Sequence, residues 1–246
     1  MKIARFTVPP SDKALQGRVF GEVIETEADS FPLSEVDLLP PVEPTKIICV
    51  GLNYRKHIEE TESEPPERPS LFLKPTSAII GDNDPIRITS EDRFDPEGEI
   101  AVVIGKNCYK IQQTNAENYI WGYTGLNDVT NRNAQSWEQN WIRAKGFDTA
   151  APIGPYLVTP EELDKPIQFQ LTVNGEVRQS ADTSQLIFNA SQLIEEISSF
   201  MTLNRGDVIS TGTPEGIGPI HSGDEIKLEI KGIGTLTNPV VGINEY

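Results

Sequence analysis

Cysteine is scarce in this chain: 246 residues hold two, Cys49 and Cys108. Each lies in or beside an apolar run, so both read as reduced core residues of a cytoplasmic protein. A disulfide framework and a cysteine metal pair are excluded on that ground. The chain also lacks an apolar run long enough to span a membrane. Its first residues, Met1-Lys2-Ile3-Ala4-Arg5-Phe6-Thr7-Val8, alternate as a strand does and lack the apolar core of a signal peptide. Basic residues are in deficit: 21 Lys and Arg stand against 37 Asp and Glu, a formal net charge of −16. That balance argues against nucleic acid as a partner. An anionic substrate would need a positive field created locally, which directs attention to a metal ion and to a few specific cations.

What is present is ordinary globular composition, in a length that allows one sizeable core and a small appended domain. Residues 1–44 read as a small β-rich unit, with a turn or bulge at Gly21. The segment Leu39-Pro40-Pro41-Val42-Glu43-Pro44 cannot continue a regular element and reads as a linker to a second domain, 45–246. In that domain Lys46 to Val50 and Leu71 to Lys74 read as short strands. A polar helical piece, Arg55 to Glu62, lies between them, followed by a proline- and glutamate-rich loop. Asn174-Gly175 between two strand-like runs signals a type I′ hairpin. Asn189 reads as the N-cap of an amphipathic helix whose apolar stripe is Leu193, Ile194, Ile197, Phe200 and Met201. Short strands separated by Gly-Asp turns close the chain. The fold class is α+β and β-dominated, a mixed β-roll.

The richest stretch is Asp95-Pro96-Glu97-Gly98-Glu99-Ile100-Ala101-Val102-Val103-Ile104-Gly105-Lys106. It reads as a buried strand with an acidic entrance. Side chains two apart on a strand share a face, so Glu97 and Glu99 project side by side. Adjacent carboxylates repel unless a positive charge sits between them, and a hard divalent cation fits that demand; solvated glutamates at a strand edge fit the same residues. Asp128 ends the strand Ile120 to Asn127, and antiparallel pairing would bring it to the two glutamates. Three carboxylates suffice for an octahedral Mg²⁺ or Mn²⁺ with about three positions left for water or substrate. Asp128 also reads as a plain turn residue.

His57 and Glu60 share a helical face at i and i+3, where a carboxylate makes imidazole a general base. Glu59 is nearly as well placed, and an exposed histidine in a charged helix fits the same spacing. Lys74, Arg132 and Lys145 read as cations at strand ends, where lone Lys and Arg residues also simply face solvent. Ser210 to Gly218 is a strand followed by a Gly-rich loop that could offer backbone N–H groups to an anion; it lacks the Gly-Lys-Ser/Thr ending of a phosphate loop.

The order of these motifs carries further. Gly51-Leu52-Asn53-Tyr54-x-x-His57, Phe72-Leu73-Lys74-Pro75, Glu97-Gly98-Glu99, Asn127-Asp128-Val129-Thr130, Lys145-Gly146-Phe147-Asp148-Thr149 and Thr211-Gly212-Thr213-Pro214 occur in one chain. Together they closely resemble the fumarylacetoacetate hydrolase superfamily, in its short branch acting on acylpyruvates and oxaloacetate, from about residue 45 onward. The resemblance implies a homodimer and a Mg²⁺ or Mn²⁺ held by Glu97, Glu99 and Asp128. It implies a water-activating His57–Glu60 dyad on a lid, and Lys145 facing a 2-oxo acid substrate. It also implies Arg132 and Gln135 lining the site, with Lys74 and Thr213 at its margin. The activity implied is metal-dependent hydrolysis of a C–C bond in acylpyruvate-type 2,4-dioxo acids. Oxaloacetate decarboxylation and 5-carboxymethyl-2-hydroxymuconate or 2-hydroxyhepta-2,4-diene-1,7-dioate isomerisation fit the same residues, and a non-catalytic metal-stabilised binding protein is the alternative of another class. One departure stands out: where the family commonly reads Ala-Arg-Asp, this chain has Asn131-Arg132-Asn133.

Overall fold

The computed structural model describes residues 1–242. The hydrophobic strands that alternation predicts assemble into one long mixed sheet and a second sheet of five strands. Along the long sheet the N-terminal strands come first, with Lys2–Val8 innermost. Ala151–Val158, Ile120–Asn127, Gly98–Ile104, Val208–Ser210, Ile47–Gly51 and Ser70–Lys74 follow in that order. Every neighbour in this run is antiparallel except Val208–Ser210 beside Ile47–Gly51, which is parallel. Residues 1–44 carry a small apolar cluster of their own around Ala4, Phe6 and Ile24. They join the long sheet where Lys2 pairs with Val158.

The second sheet contains the hairpin Gln168–Val173 and Glu176–Asp182, with Asn174 at φ 53° and Gly175 at φ 80°. Positive φ at both central residues is what a type I′ turn requires. The main core fills the space between the two sheets and helix α4, Ala190–Phe200. Asn189 caps α4, accepting from Gln192 N while Gln192 returns a bond to the Asn189 N–H. Leu193, Ile194 and Ile197 are buried as the stripe predicts, but Phe200 is 55% exposed. Ser198, not Phe200, takes the inward place in the last turn; its hydroxyl accepts from Ile111 N and donates to Glu195 O. Both cysteines are buried and free. Among the described residues no helix is long and apolar enough to cross a membrane.

Candidate active site

The strand Gly98–Ile104 is buried on both faces and lies between two partners. On one side Gly98 pairs with Asn127 in an antiparallel ladder. Glu97, just before that strand, and Asp128, just after its partner, therefore meet: Asp128 N donates to Glu97 O at 2.8 Å, and Glu97 N donates to Asn127 Oδ1 at 2.9 Å. On the other side Ala101 pairs with Ser210, which brings the Gly-rich loop to Glu99. Ser210 Oγ and Gly212 N donate to Glu99 Oε2 at 2.6 and 2.7 Å. The anion this loop serves is thus the protein's own carboxylate. Gly212 has φ +96°, and a Cβ there would come within 2.9 Å of Val50 O and Asn53 Cβ, so the close approach depends on glycine.

One oxygen each from Glu97, Glu99 and Asp128 lies within 4.8 Å of the others, and all three residues are buried. Lys145 Nζ donates to Glu97 Oε2 and to Asp128 Oδ2, each at 2.7 Å. Lys74 Nζ donates to Asp128 Oδ1 at 2.5 Å, and Arg132 Nη2 donates to Glu97 Oε1 at 2.5 Å. Burial pushes the Glu97 carboxyl up, but the charges of Lys145 and Arg132 overcome it and hold the group well below the usual carboxylate range. Among the described residues Glu99 has neutral donors only, Ser210 and Gly212. Burial first, and the Asp128 charge second, push it up to about 8. Lys145 is lowered by burial yet ends above the ordinary ammonium value because Asp128 and Glu97 flank it.

This donor set fits a hard divalent cation. Three buried carboxylates converge, and one of them lacks the positive partner that would keep it ionised. Metal binding at neutral pH should then displace a proton from Glu99. The expected result is an affinity for Mn²⁺ that rises with pH and levels off above about 8, with a binding enthalpy that changes with buffer ionisation enthalpy. A pH-independent affinity would contradict the assignment.

A cavity of about 250 Å³ opens over the triad. His57, Arg132, Gln135, Lys145 and Thr213 all line it, beside Phe72 and Trp141, whose rings meet edge to face at 5.4 Å. A larger cavity of about 600 Å³ lies behind Ile100 and Val102. Its one carboxylate, Glu117, and its one cation, Lys165, face each other at 3.6 Å, so the chemistry is concentrated at the smaller cavity.

His57 sits on helix α1, Arg55–Glu60, with Nδ1 3.2 Å from Glu60 Oε2. That pairing places the proton on Nδ1 and leaves Nε2 as the basic nitrogen. The other Glu60 oxygen accepts from Gly216 N at 2.9 Å, which ties α1 to the Gly-rich loop. Glu59 is exposed and makes no such contact with the histidine. His221 is exposed in its turn, its ring near Asp224.

The three cations are not all at strand ends. Lys74 ends the strand Ser70–Lys74, but Arg132 opens helix α2, Arg132–Trp137, and Lys145 closes the single turn α3, Ile142–Lys145. Lys74 does not line the cavity; it is buried behind Asp128. Thr213 accepts from Gln179 Nε2 at 2.8 Å and donates to Gly98 O at 3.1 Å. Asn133 Oδ1 accepts from Arg93 N at 2.9 Å. An aspartate oxygen would accept the same bond, so the amide retains that contact.

Two contributors are not assigned a role by their sequence spacing. Gln179, on the second sheet, accepts from Gly98 N at 2.8 Å and donates to Thr213 and to Pro214 O, stapling the acidic entrance to the Gly-rich loop. Asp95 is fully buried and grips Arg132 from behind. A carboxylate two residues before Glu97 and two after Arg93 is a hint, but only the fold brings Arg132 to it.

The fold and this arrangement of carboxylates, lysines and a histidine dyad define a known class. The chain belongs to the fumarylacetoacetate hydrolase family: residues 46–241 match the family described as fumarylacetoacetate (FAA) hydrolase C-terminal. It is 43% identical to 5-carboxymethyl-2-hydroxymuconate delta-isomerase from Mycobacterium smegmatis, whose crystal structure superposes with a TM-score of 0.91 over 98% of this chain and 99% of that one. It is 40% identical over 225 residues to the oxaloacetate tautomerase YisK of Bacillus subtilis, covering 85% of this chain and 75% of that protein. Maleylpyruvate hydrolase from Sphingobium sp. SYK-6, solved in complex with manganese(II) ion and pyruvate, is 29% identical with a TM-score of 0.83, over 98% of this chain and 99% of that one. The three proteins just named are enzymes: an isomerase, a tautomerase and a hydrolase.

Proposed function

We propose that this protein is a Mg²⁺- or Mn²⁺-dependent enzyme that hydrolyses the C3–C4 bond of acylpyruvate-type 2,4-dioxo acids. The observation that carries the reading is the His57–Glu60 dyad on the wall of the cavity that also holds the carboxylate triad. Glu97, Glu99 and Asp128 would hold the divalent cation, which would supply Lewis acidity toward a 2-oxo acid.

His57 Nε2 takes a proton from water while Nδ1–H stays on Glu60, and the hydroxide so formed attacks the C4 carbonyl. The C3–C4 bond breaks, its electron pair passing to C3 and delocalising onto the C2 oxygen, where the Lys145 ammonium stabilises the charge. Proton return to C3 gives pyruvate, and the acyl part leaves as a carboxylic acid. Phe72, whose ring centroid lies 5.0 Å from Lys145 Nζ, and Trp141 give this side of the cavity an apolar wall.

A second reading is keto–enol tautomerisation of oxaloacetate, favoured by the 40% identity to YisK. It uses the same enolate without an attacking water. His57→Ala separates the two. Hydrolysis of an acylpyruvate is expected to fall by about 10²–10⁴-fold, while oxaloacetate tautomerisation in the same preparation persists within about tenfold. Equal loss of both rates would remove the separate water-activating role.

A further inference from the structure

Asp95 is a fully buried carboxylate that lines neither of the two cavities described above and stands outside the Glu97–Glu99–Asp128 triad. It nevertheless holds two guanidinium groups. Arg93 approaches it in a bidentate fork, Nε to Oδ1 at 2.8 Å and Nη2 to Oδ2 at 2.9 Å. Arg132 Nε donates to Oδ2 at 2.8 Å. The ribbon Phe94–Asp95 and Thr130–Asn131 sets this register, pairing Asp95 with Thr130, and Arg132 N donates to Arg93 O at 2.8 Å.

Arg132 is the cation of this group that reaches the cavity. Its Nη2 donates to Glu97 Oε1 and its Nη1 to Gln135 Oε1 at 2.9 Å. A guanidinium has five N–H donors in a planar fork, so with three given to protein acceptors one remains on each terminal nitrogen. Two parallel donors match a carboxylate. Without Asp95 the nearest anion to Arg132 is Glu97, a metal ligand, and the guanidinium would settle on it. Asp95 draws the Nε edge away. Half-exposed Arg93 balances the Asp95 charge, so the grip adds no net negative charge beside a site that must attract an anion.

We propose that Asp95 is a positioning residue that aims Arg132 at a second carboxylate of the substrate, so that the site selects dicarboxylic 2-oxo acids over monocarboxylic ones. The proposal rests on the 2-oxo acid reading of the site. The test uses two stable probes of equal length, 2-oxoglutarate and 2-oxopentanoate, which differ in one terminal carboxylate. Their affinities for the Mn²⁺-loaded protein are measured by calorimetry, alongside Mn²⁺ affinity and the melting temperature.

The wild type is expected to prefer 2-oxoglutarate by about tenfold or more, the scale of a charge-assisted pair. Asp95→Asn removes the charge, and Asp95→Glu keeps the charge but displaces it. Both should reduce the preference at least about fivefold while 2-oxopentanoate affinity stays within about twofold, the comparison being made at Mn²⁺ concentrations that saturate each variant, since a guanidinium settled on Glu97 weakens the metal site. Arg132→Lys should reduce the preference similarly, and adding Asp95→Asn to it should change nothing further. A preference that survives in both Asp95 variants overturns the proposal and leaves the 2-oxo acid reading standing. Equal weakening of both probes, or failure of both variants to fold with Mn²⁺ present, also overturns it and makes Asp95 a structural ion-pair residue. If neither probe binds the Mn²⁺-loaded wild type, the 2-oxo acid reading itself falls, and this proposal with it.

Discussion

Asp128→Asn is expected to destabilise the protein by about 3–5 kcal/mol and to abolish metal binding. Asp128 faces two ammonium groups, Lys74 on Oδ1 and Lys145 on Oδ2. An asparagine presents one oxygen and one NH₂, so one lysine would meet a donor where it now meets an acceptor. Lys145 would keep Glu97. Lys74, fully buried, would be left with a neutral amide and the Val129 carbonyl at 3.3 Å. A buried cation without its anion costs more than the pair contributed, because its hydration is not replaced. The compensating variant follows from the same physics. Lys74→Met added to Asp128→Asn should recover most of the stability, since replacing both partners by neutral groups of similar volume is close to neutral. It should not recover metal binding. Urea unfolding with and without Mn²⁺ reads both effects. If the double variant is no more stable than Asp128→Asn, Lys74 is not there to balance Asp128.

Glu99→Gln should move stability and function in opposite directions. Glutamine keeps an oxygen for Ser210 and Gly212, so the local hydrogen bonds survive. What it removes is a carboxyl whose ionisation burial opposes. The Glu99 group lies at about 8 in the folded chain against an ordinary value of 4.5. Below 4.5 both states hold the proton and nothing is lost; as pH rises toward 8 the unfolded chain gives it up while the folded chain retains it, so the wild-type group erodes stability across that window. The metal-free variant should therefore be more stable at pH 7, by an amount on the order of 1–3 kcal/mol. The same change takes away the charge a divalent cation needs, and metal affinity should drop by more than the roughly 100-fold typical of an outer-sphere partner. Metal-free thermal unfolding at pH 4 and pH 7, with metal-dependent turnover in parallel, decides it. A variant that is less stable at pH 7 and still turns over would contradict both halves.

Much of this site is legible in the sequence because its pieces are local. The two-residue period of a strand places Glu97 beside Glu99, antiparallel pairing across Gly98 and Asn127 adds Asp128, and the i, i+3 spacing of a helix joins His57 to Glu60. The Asn174-Gly175 turn and the Asn189 cap are equally short-range. What escapes is long-range. The grips of Asp95 on Arg132 and of Gln179 on Gly98 and Thr213 span 37, 81 and 34 positions. Lys74 looks like a margin residue until the fold buries it against Asp128, 54 positions away. Phe200 satisfies helical periodicity and still faces outward, because the last turn of α4 packs Ser198 inward, against the backbone N–H of Ile111 in the loop after Gly98–Ile104.

On the proposed reading, Glu97, Glu99 and Asp128 hold a divalent cation to which a 2-oxo acid binds. The most direct measurement is anomalous diffraction from crystals grown with Mn²⁺ and pyruvate. The account predicts one manganese peak among these three carboxylates, with pyruvate density in contact with it on the side of the cavity lined by His57, Arg132 and Lys145. Manganese bound elsewhere, or at the triad with pyruvate away from it, would contradict the account.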